Sequence, residues 1–480
     1  MMKWKRNMTI WLTISIVAHV LGFISSIAAV MTARTSQGSI AWAISLNTCP
    51  YVAVPAYWFL GRSQFRGYTA ARQIADNDLQ HRLRKVLDGI ASYRVPEEEM
   101  TRAGAAAEHM ATFPFLGGNE VELLIDGKTT FDSILAGIDT AERYILFQFF
   151  SVKDDEIGRK LHERLAAKAK AGVRVLFLYD EIGSHDLSDA YVKELRDAGA
   201  KVHAFNTRKG RGNRFQINFR NHRKVVVVDG HSAWVGGHNV GDQYLGKDPK
   251  FGHWRDTHSR IKGPAVLAAQ QSFAEAWNWA TDEQLADLAW EPVVSETSDQ
   301  IVLVVPSGPA DELETASLMF LHAINSAQQR IWIASPYFVP DDAIISALQL
   351  AGLRGVDVRI LIPDTPDHMM VYLAAFSYID AASLTGARIF RYTDGFLHEK
   401  VMLVDSHLAT VGTANFDNRS FRLNFEITAV VADKEFASQV EQMFLDDFSN
   451  AREMARGELA AKPFWFKFAV RVARLTAPIQ

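Results

Sequence analysis

The chain has 480 residues, of which 48% are hydrophobic, so it is long enough for about three domains or for one large duplicated domain. Lysine and arginine number 51 against 55 aspartate and glutamate residues, and the resulting net charge of −4 does not favour a nucleic-acid-binding protein. The single cysteine, Cys49, excludes an intrachain disulfide framework and any zinc or iron–sulfur site made of several cysteines.

Two apolar segments near the N-terminus predict a membrane anchor. Residues 8–31 and 39–60 contain no lysine, arginine, aspartate or glutamate. At a helical rise of about 1.5 Å per residue, each segment is long enough to cross a hydrocarbon core of about 30 Å. Because residues 32–38 are too few for a domain, we predict a transmembrane hairpin over residues 1–61. A cleaved signal peptide is the alternative, but the first segment is long for one and a second segment follows at once.

The charges around these segments predict where the rest of the chain lies. Basic residues precede the first segment and follow the second, whereas Arg34 alone lies between the two. The flanking basic residues are Lys3, Lys5, Arg6, Arg62, Arg66 and Arg72. The positive-inside rule therefore predicts a multi-pass membrane protein whose remaining chain is cytoplasmic. Residues 62–112 are charged and alanine-rich, and we predict that they form a helical linker to the soluble body.

The soluble body is predicted to be a duplication, with residues 113–298 and 299–456 as its two halves. Matched segments occur in the same order in both: residues 142–150 with 329–338, 171–180 with 354–363, and 198–205 with 385–392. Short β-branched runs alternate with longer helical stretches, which predicts an α/β fold of two mixed or parallel sheets flanked by helices. A pseudo-twofold axis would bring equivalent strand ends together, so that one site draws the same groups from both halves.

Each half also carries one copy of a short polar motif. A histidine is followed two residues later by lysine and seven residues later by aspartate, and then by a glycine-rich turn with an asparagine. The motif residues are His222, Lys224, Asp229 and Asn239 in the first half and His398, Lys400, Asp405 and Asn415 in the second. By composition, the His–Lys–Asp spacing is expected only about 0.05 times in such a chain, so two copies are a strong signal.

The spacing predicts a reaction at phosphorus. Alternate residues of an extended strand point to the same side, so the histidine and lysine of each motif reach one small volume. A neutral imidazole is a nucleophile, and a lysine stabilises charge that develops on a phosphoryl group. Asn239 and Asn415 would donate to the phosphoryl oxygens, whereas Asp229 and Asp405 are also compatible with a structural turn at a strand end. Zinc binding is not favoured, because each histidine lies near a lysine that repels the ion and no set of four ligands is evident.

Several segments carry a resemblance to a known family. They are SQGSIAW at residues 36–42, RNHRKVVVVDG at 220–230, VGGHN at 235–239, WRDTH at 254–258, PYFVPD at 336–341, HEKVMLVD at 398–405 and NRSFRLNFE at 418–426. With these segments, the chain resembles the phospholipase D superfamily with its two HKD motifs, and specifically the bacterial cardiolipin synthases. The resemblance extends from about residue 8 to the C-terminus.

The resemblance implies a metal-independent and cofactor-free transfer of a phosphatidyl group between two phosphatidylglycerol molecules, giving cardiolipin and glycerol. It implies that His222 is the nucleophile of a phosphohistidine intermediate and that His398 is the general acid and base. It also implies that Asp256 and Glu426, which follow the two histidines by 34 and 28 residues, orient the imidazole rings. The partners implied are phospholipids and the bilayer of the bacterial cytoplasmic membrane, not nucleic acid.

Residues 457–480 predict a basic amphipathic helix. Lys462, Lys467, Arg471 and Arg474 are interleaved with aromatic and aliphatic residues, a pattern typical of helices that dock on anionic membranes. A helix that packs on the body and exposes a solvated basic face gives the same pattern.

Alternative functions share the duplicated motif. A phospholipase D-type hydrolase or another phosphatidyltransferase would use the same covalent intermediate and differ in the acceptor. A nuclease requires salt-sensitive binding of polyanions, which the net charge does not favour, and an inactive membrane scaffold has no need of intact motifs.

Phe149, Phe150 and Ser151 stand where cardiolipin synthases often have a tyrosine-containing segment, a departure that bears on acceptor choice rather than on the chemistry. The sequence does not fix the oligomeric state or the second substrate, phosphatidylglycerol or phosphatidylethanolamine.

Overall fold

The computed structural model describes residues 2–33, 35–61, 65, 68, 84–96, 102–206, 218–285 and 287–480. The chain forms two compact units, one of residues 1–70 and 207–219 and the other of residues 71–206 and 220–480. Part of the predicted linker lies outside the described residues, as do Arg34 and three of the flanking arginines used above, Arg62, Arg66 and Arg72.

The first unit contains one helix long enough to cross a membrane. This helix, α1, spans Met2–Thr32, and its residues 6–32 have the length and apolar composition of a membrane span. The second apolar segment forms two shorter helices instead, α2 at Ser36–Thr48 and α3 at Pro50–Leu60. The described chain therefore has a single helix of spanning length, where the sequence predicted a hairpin of two.

The break between α2 and α3 has a local cause. Proline lacks an amide hydrogen and disfavours the helical conformation of the residue before it. Cys49, which precedes Pro50, accordingly leaves the helical region, with φ −136° and ψ 59°.

After the break, the chain turns back along α1. Tyr51 Oη lies 2.9 Å from Ser15 Oγ, whereas Trp58, later in α3, donates to Ser25 Oγ at 3.1 Å. As α3 advances, its contacts therefore move toward the C-terminal end of α1. Together, α2 and α3 form a re-entrant pair, because α2 runs back from the end of α1 until Leu46 lies beside Gly22, and α3 then returns in the direction of α1.

The second unit is built on one large sheet. The strands of the second unit are β1 Leu116–Ile125, β2 Tyr144–Phe149, β3 Arg174–Asp180, β4 Lys201–Phe205, β5 Arg220–Asn221, β6 Val225–Val228, β7 Ser232–Gly236, β8 Trp254–Arg255, β9 Thr257–Lys262, β10 Gln300–Ser307, β11 Arg330–Ala334, β12 Phe338–Val339, β13 Asp357–Pro363, β14 Arg388–Tyr392, β15 Phe396–Leu397, β16 Val401–Val404, β17 Leu408–Gly412, β18 Phe416–Asp417, β19 Asn424–Ala432 and β20 Ala451–Glu453. Outside the large sheet, β8 pairs with β15 and β12 pairs with β18. All four residues of β6 and all six of β2 are buried, as expected for central strands that are covered on both faces.

Helices cover this sheet. They are α4 Arg102–Glu108, α5 Asp126–Thr140, α6 Glu156–Lys170, α7 Asp189–Asp197, α8 Val266–Thr281, α9 Thr315–Ser326, α10 Asp342–Leu353, α11 Met369–Ser383, α12 Asn418–Arg422, α13 Lys434–Ser449, α14 Glu458–Ala461 and α15 Phe464–Arg474. Asp155 and Asp341 cap α6 and α10 by accepting from the amides of Gly158 and Ile344, so the two aspartates hold equivalent positions. Each half encloses its own apolar cluster, one around Phe147 and the other around Ile333 in the second half.

The strand order repeats between the two halves. It is β4-β3-β2-β6-β7-β9-β1 in the first half and β14-β13-β11-β16-β17-β19-β10 in the second. Each half has three parallel strands followed by antiparallel strands, and in the second half β20 pairs antiparallel with β14 at the outer edge. The fold is a mixed α/β fold present in two copies, as predicted. The two expected sheets are continuous, because β1 pairs antiparallel with β10 and joins the halves into one 16-stranded sheet.

Candidate active site

The two motif histidines lie where short strands of one half pair with strands of the other. His222 follows β5, which pairs in parallel with β19 of the second half, and its amide donates to Phe425 O at 2.9 Å. His398 follows β15, which pairs in parallel with β8 of the first half, and its amide donates to Arg255 O at 2.7 Å. The backbone of the opposite half therefore holds each histidine.

Each imidazole is also hydrogen-bonded by a carboxylate of the opposite half. His222 Nδ1 lies 2.9 Å from both carboxylate oxygens of Glu426, and His398 Nδ1 lies 2.7 Å from Asp256 Oδ2. The sequence identified both carboxylates by their distance after the histidine of their own half. The structure exchanges the partners, so that each histidine is oriented across the boundary between the halves.

The surroundings of Glu426 set the tautomer of His222. Its carboxylate accepts from Thr413 Oγ1 at 2.5 Å, Ser420 Oγ at 2.8 Å and Asn424 Nδ2 at 3.2 Å. Burial alone acts to raise the pKa of Glu426, but the adjacent His222 and the other polar neighbours lower this pKa overall. Because an ionised carboxylate only accepts hydrogen bonds, Nδ1 of His222 carries the proton and Nε2 presents a lone pair.

The two motif lysines are buried beside the histidines. Lys224 Nζ donates to His222 O at 2.6 Å, while Lys400 Nζ lies 2.9 Å from His398 Nδ1 and also donates to His398 O. Burial lowers the pKa of Lys224 well below its ordinary value and lowers the pKa of Lys400 to about 8. A phosphate anion near these amines would favour their charged forms.

The two histidines and two lysines belong to one electrostatic site. Burial lowers the pKa of His222 to about 4 and the pKa of His398 well below its ordinary value, so both rings are neutral near pH 7. The charge of Lys400 contributes to the shift at His222, and the charge of Lys224 contributes to the shift at His398. The structure thus brings together residues that are far apart in the sequence.

The two asparagines line the same region with different environments. Asn239 Oδ1 accepts from the amide of Ser151 at 3.1 Å, and its Nδ2 donates to Tyr244 Oη at 3.0 Å. The side-chain oxygen of Asn415 is buried without a hydrogen-bond partner. Both side chains are buried, and their binding of phosphate stays a prediction.

The two motif aspartates stabilise turns. Asp229 and Asp405 have positive φ angles of 54° and 52°, in the left-handed region that aspartate tolerates better than most residues. The carboxylate of Asp229 accepts from the amides of residues 142–144, and that of Asp405 accepts from the amides of residues 328–330. This geometry supports the structural interpretation of the pair.

Aromatic rings close off the histidines from the sides. The ring of Phe150 lies 5.0 Å from that of His222, and the rings of Trp254 and Tyr244 lie 5.2 and 6.3 Å from that of His398. Tyr244 and the hydroxyl donors to Glu426 were not predicted from the sequence. No spacing rule marks them, because only the packing of the two halves brings them to the histidines.

Comparisons with known proteins point to one family. Residues 134–277 and 320–448 match the family model described as "Cardiolipin synthase, PLD-like domain". The chain is 48% identical over 469 residues to cardiolipin synthase A of Pseudomonas fluorescens (strain SBW25), with 96% of each chain covered. It is 47% identical over 466 residues to cardiolipin synthase A of Pseudomonas putida (strain GB-1), again with 96% of each covered. Its fold is similar to that of phosphatidylserine synthase from Haemophilus influenzae Rd KW20, with a TM-score of 0.55 at 17% identity, over 79% of this chain and 100% of that one.

Proposed function

The chain belongs to the cardiolipin synthase family of phospholipase D-like proteins, and from this premise we propose that it joins two phosphatidylglycerol molecules into cardiolipin and releases glycerol. The observation that carries the proposal is the pair of imidazoles, each held by a buried carboxylate of the other half. A reaction through a covalent phosphohistidine needs two such rings, because one attacks phosphorus while the other moves the proton.

In the first step, Nε2 of His222 attacks the phosphorus of one phosphatidylglycerol. The bond from phosphorus to the glycerol oxygen breaks, and His398 gives its proton to the departing glycerol. His398 is neutral near pH 7 before substrate arrives, and the negative phosphodiester favours its protonated form. Lys224 and Lys400 stabilise the charge that develops on the phosphoryl oxygens, and Asn239 and Asn415 complete the phosphate site. Asp256 and Glu426 act as positioning residues that orient the two imidazole rings.

In the second step, His398 takes the proton from a terminal hydroxyl of the second phosphatidylglycerol. The resulting oxygen attacks phosphorus, the bond from phosphorus to His222 breaks, and cardiolipin leaves. Glu426 keeps Nδ1 of His222 protonated, so that Nε2 is the atom that attacks phosphorus, and Asp256 accepts from Nδ1 of His398 when that ring is protonated. The resemblance, rather than a difference between the two histidines, supports the assignment of His222 as nucleophile.

The direct test is an assay of the purified protein in detergent with labelled phosphatidylglycerol. We expect cardiolipin and free glycerol in equal amounts, and no turnover in His222→Ala or His398→Ala with the fold retained. Phosphatidic acid as the sole product would replace the transferase proposal with a hydrolase.

A second substrate distinguishes the roles of the two histidines. A phosphatidyl ester of p-nitrophenol has a leaving group that needs no proton from the enzyme. His398→Ala should therefore release one burst of nitrophenol and retain a covalent phosphatidyl group, whereas His222→Ala should give neither. The reverse pattern would exchange the two assignments.

We further propose that the protein acts at the surface of the bacterial cytoplasmic membrane. Its helix α1 supports membrane residence, and the C-terminal helix α15 supports docking at an anionic surface. One face of α15 packs on the body through Phe466 and Val470. The other face exposes Phe464, Trp465 and Phe468 beside basic residues, as in helices that lie in a membrane interface.

A further inference from the structure

Two buried histidines that have no role in the proposed reaction lie against each other in the first half. His238 and His258 are both 0% exposed, and their Nδ1 atoms lie 3.2 Å apart. The backbone amide of His238 also donates to Nδ1 of His258, at 3.3 Å. Because a backbone amide only donates, Nδ1 of His258 is the acceptor in both contacts, and Nδ1 of His238 carries a proton.

This arrangement requires His258 to be neutral. A proton on its Nδ1 would face two donors, and both hydrogen bonds would be lost. Burial lowers the pKa of His238 to about 4 and the pKa of His258 well below its ordinary value, and the nearby charge of Lys400 lowers both pKa values further. The pair therefore keeps its hydrogen bonds at neutral pH.

The fold does not require this pair. Neither Nε2 atom has a hydrogen-bond partner among the described residues, and a buried polar atom without a partner destabilises the folded state. The second half builds the equivalent turn without imidazoles. On its matching strands β17 and β19, Thr428 stands at the place of His258, and Ala414 follows β17 as His238 follows β7. The pair is therefore a difference between the halves that does not serve stability.

The turn that the pair holds leads directly to Asn239. The amide of Gly237 donates to Thr257 O at 2.9 Å, and the next amide, of His238, donates to the ring of His258. Two successive amides are thus fixed to β9 immediately before the asparagine.

The side chain of Asn239 keeps one donor for an anion. Its Oδ1 accepts from the amide of Ser151 at 3.1 Å, and its Nδ2 donates to Tyr244 Oη at 3.0 Å. Because an amide nitrogen carries two hydrogens, one of them remains for a phosphoryl oxygen. The ring of Tyr244 lies 6.3 Å from that of His398, so this donor lies on the side of the site that contains His398.

The second half holds its asparagine with a different group. The first amide of the turn, at Thr413, keeps the bond to the neighbouring strand, at 2.9 Å from Ile427 O. The amide of Asn415 itself donates to Ser420 Oγ at 3.0 Å. Equivalent asparagines are therefore held by an imidazole pair in one half and by a hydroxyl in the other.

We propose that His238 and His258 are positioning residues, which fix the turn so that Asn239 donates to the phosphoryl group while His222 attacks it. Neither ring touches the substrate, because both are fully buried. A donor that is held in place stabilises the charge that develops on the phosphoryl oxygens. The inference rests on the proposed phosphatidyl transfer, in which this attack forms the phosphohistidine.

The test removes the acceptor atom of the pair and then restores it. His258→Leu has a similar volume but no acceptor, whereas His258→Asn places a side-chain oxygen where Nδ1 was. With the phosphatidyl ester of p-nitrophenol, whose leaving group needs no proton from His398, the rate of the nitrophenol burst reports the attack by His222. At saturating substrate, this rate should fall on the order of tenfold in His258→Leu and stay within about threefold of the wild-type rate in His258→Asn.

A matched control and a second variant keep the test decisive. His162→Leu replaces another buried imidazole of the first half, on α6, and should leave the burst rate unchanged. If His258→Leu does not fold, the double variant His238→Ala with His258→Thr gives the turn the residues of the second half, so it should fold and show the same loss. Thermal unfolding of each variant checks the fold.

Each outcome decides the proposal. A wild-type burst rate in folded His258→Leu or in the folded double variant would overturn it, as would an equal loss in His258→Asn and His258→Leu. If the wild-type protein gives no burst, the proposed phosphohistidine chemistry is refuted instead.

Discussion

A single glycine allows Asp256 to approach the backbone beside His398. A Cβ atom at Gly237 would lie 1.9 Å from Asp256 Oδ1, far inside any real contact. The equivalent residue of the second half is Thr413, whose hydroxyl donates to the longer Glu426. Glycine therefore occurs with the shorter aspartate in the first half, and threonine occurs with the longer glutamate in the second. In both cases the carboxylate lies at hydrogen-bonding distance from an imidazole.

Gly237→Ala should displace the Asp256 carboxylate and release the ring of His398. Loss of the carboxylate that orients a catalytic histidine reduces turnover by about 100-fold or more in comparable sites. We expect a loss of that size in kcat, measured as cardiolipin formation, and a lower Tm, because overpacking a buried site costs about 1–3 kcal/mol. Gly89→Ala, which has open space at its Cβ position, is the control and should retain activity. Full activity of Gly237→Ala would mean that Asp256 has no role in positioning His398.

The buried lysines predict an early loss of activity at alkaline pH. Burial lowers the pKa of Lys400 from its ordinary 10.5 to about 8, so the free enzyme loses this cation as the pH rises through about 8. Because kcat/KM reports the free enzyme, its alkaline limb should have a midpoint near pH 8. A bound phosphodiester favours the charged amine, and the limb of kcat should therefore lie at higher pH.

A pH series of initial rates at saturating and at low substrate concentrations separates the two limbs. A kcat/KM that stays level up to pH 10 would contradict a lowered lysine pKa. The acid limb of the pH profile provides a comparison. The pKa of His222 is lowered to about 4, so its neutral form persists at mildly acidic pH.

The arrangement of residues within each motif could be predicted from the sequence, but the contacts between the two halves could not. The His–Lys spacing follows from strand alternation, which holds within a few residues. The exchange of Asp256 and Glu426 between halves depends on β5 and β8, two-residue strands that carry no sequence signal. The burial of Arg391 depends on the register of β14 against β13.

At the scale of elements, the re-entrant pair α2 and α3 changes the expected topology. The signal was present in the sequence, since Pro50 follows Cys49 in the middle of the second apolar segment. Length and composition alone predicted a second span and overlooked this break.

Sided cysteine labelling tests the re-entrant pair. In a Cys49→Ser background, single cysteines at Ser36 and Leu60 should react with an impermeant maleimide from the same side of the membrane, because α3 returns in the direction of α1. A cysteine at Trp4 should react from the opposite side. Labelling of Leu60 from the side of Trp4 would restore the hairpin of two spans, and the Cys49→Ser protein without added cysteines gives the background.

The exposed aromatic face of α15 should contribute to enzyme activity only when the substrate is in a bilayer. We expect a triple serine variant of Phe464, Trp465 and Phe468 to lose several-fold activity on phosphatidylglycerol vesicles, because each exposed aromatic ring contributes to interfacial binding. Its activity on a short-chain phosphatidylglycerol dissolved as monomers should be unchanged. Leu384→Ser, at an exposed apolar residue elsewhere on the body, is the control. If the triple variant has the same activity relative to the wild-type protein on both substrates, membrane docking by α15 is refuted.

At the scale of the whole molecule, the two halves form one catalytic body through reciprocal contacts. Each half supplies a histidine and orients the histidine of the other, so neither half contains a complete site. The repeats in the sequence predicted two halves with equivalent strands. They could not predict that β1 and β10 would join the sheets, because that pairing depends on how the finished halves meet.

A buried ion cluster around Arg255 holds the halves together. Arg255 of the first half donates to both carboxylate oxygens of Asp447, at 2.6 and 3.0 Å, and its Nη2 lies 3.0 Å from Glu399 Oε1. Arg255, Glu399 and Asp447 are all buried. Removing one partner of a buried ion pair leaves uncompensated charge, which commonly costs about 3–5 kcal/mol.

Arg255→Met should therefore lower the free energy of unfolding by about 3–5 kcal/mol, measured by denaturant unfolding in detergent. Arg388→Met removes the exposed pair with Glu453 and should cost no more than about 1 kcal/mol.

Burial raises the pKa of Glu399 and of Asp447 above their ordinary values, so each carboxyl favours the folded state at low pH and loses that contribution as the pH rises through the raised pKa. Without Arg255 both carboxylates are harder to ionise, and the deficit of the variant should be larger at pH 8 than at pH 5.5. A deficit that is equal at the two pH values, or no larger than that of Arg388→Met, would show that the cluster does not hold the halves together.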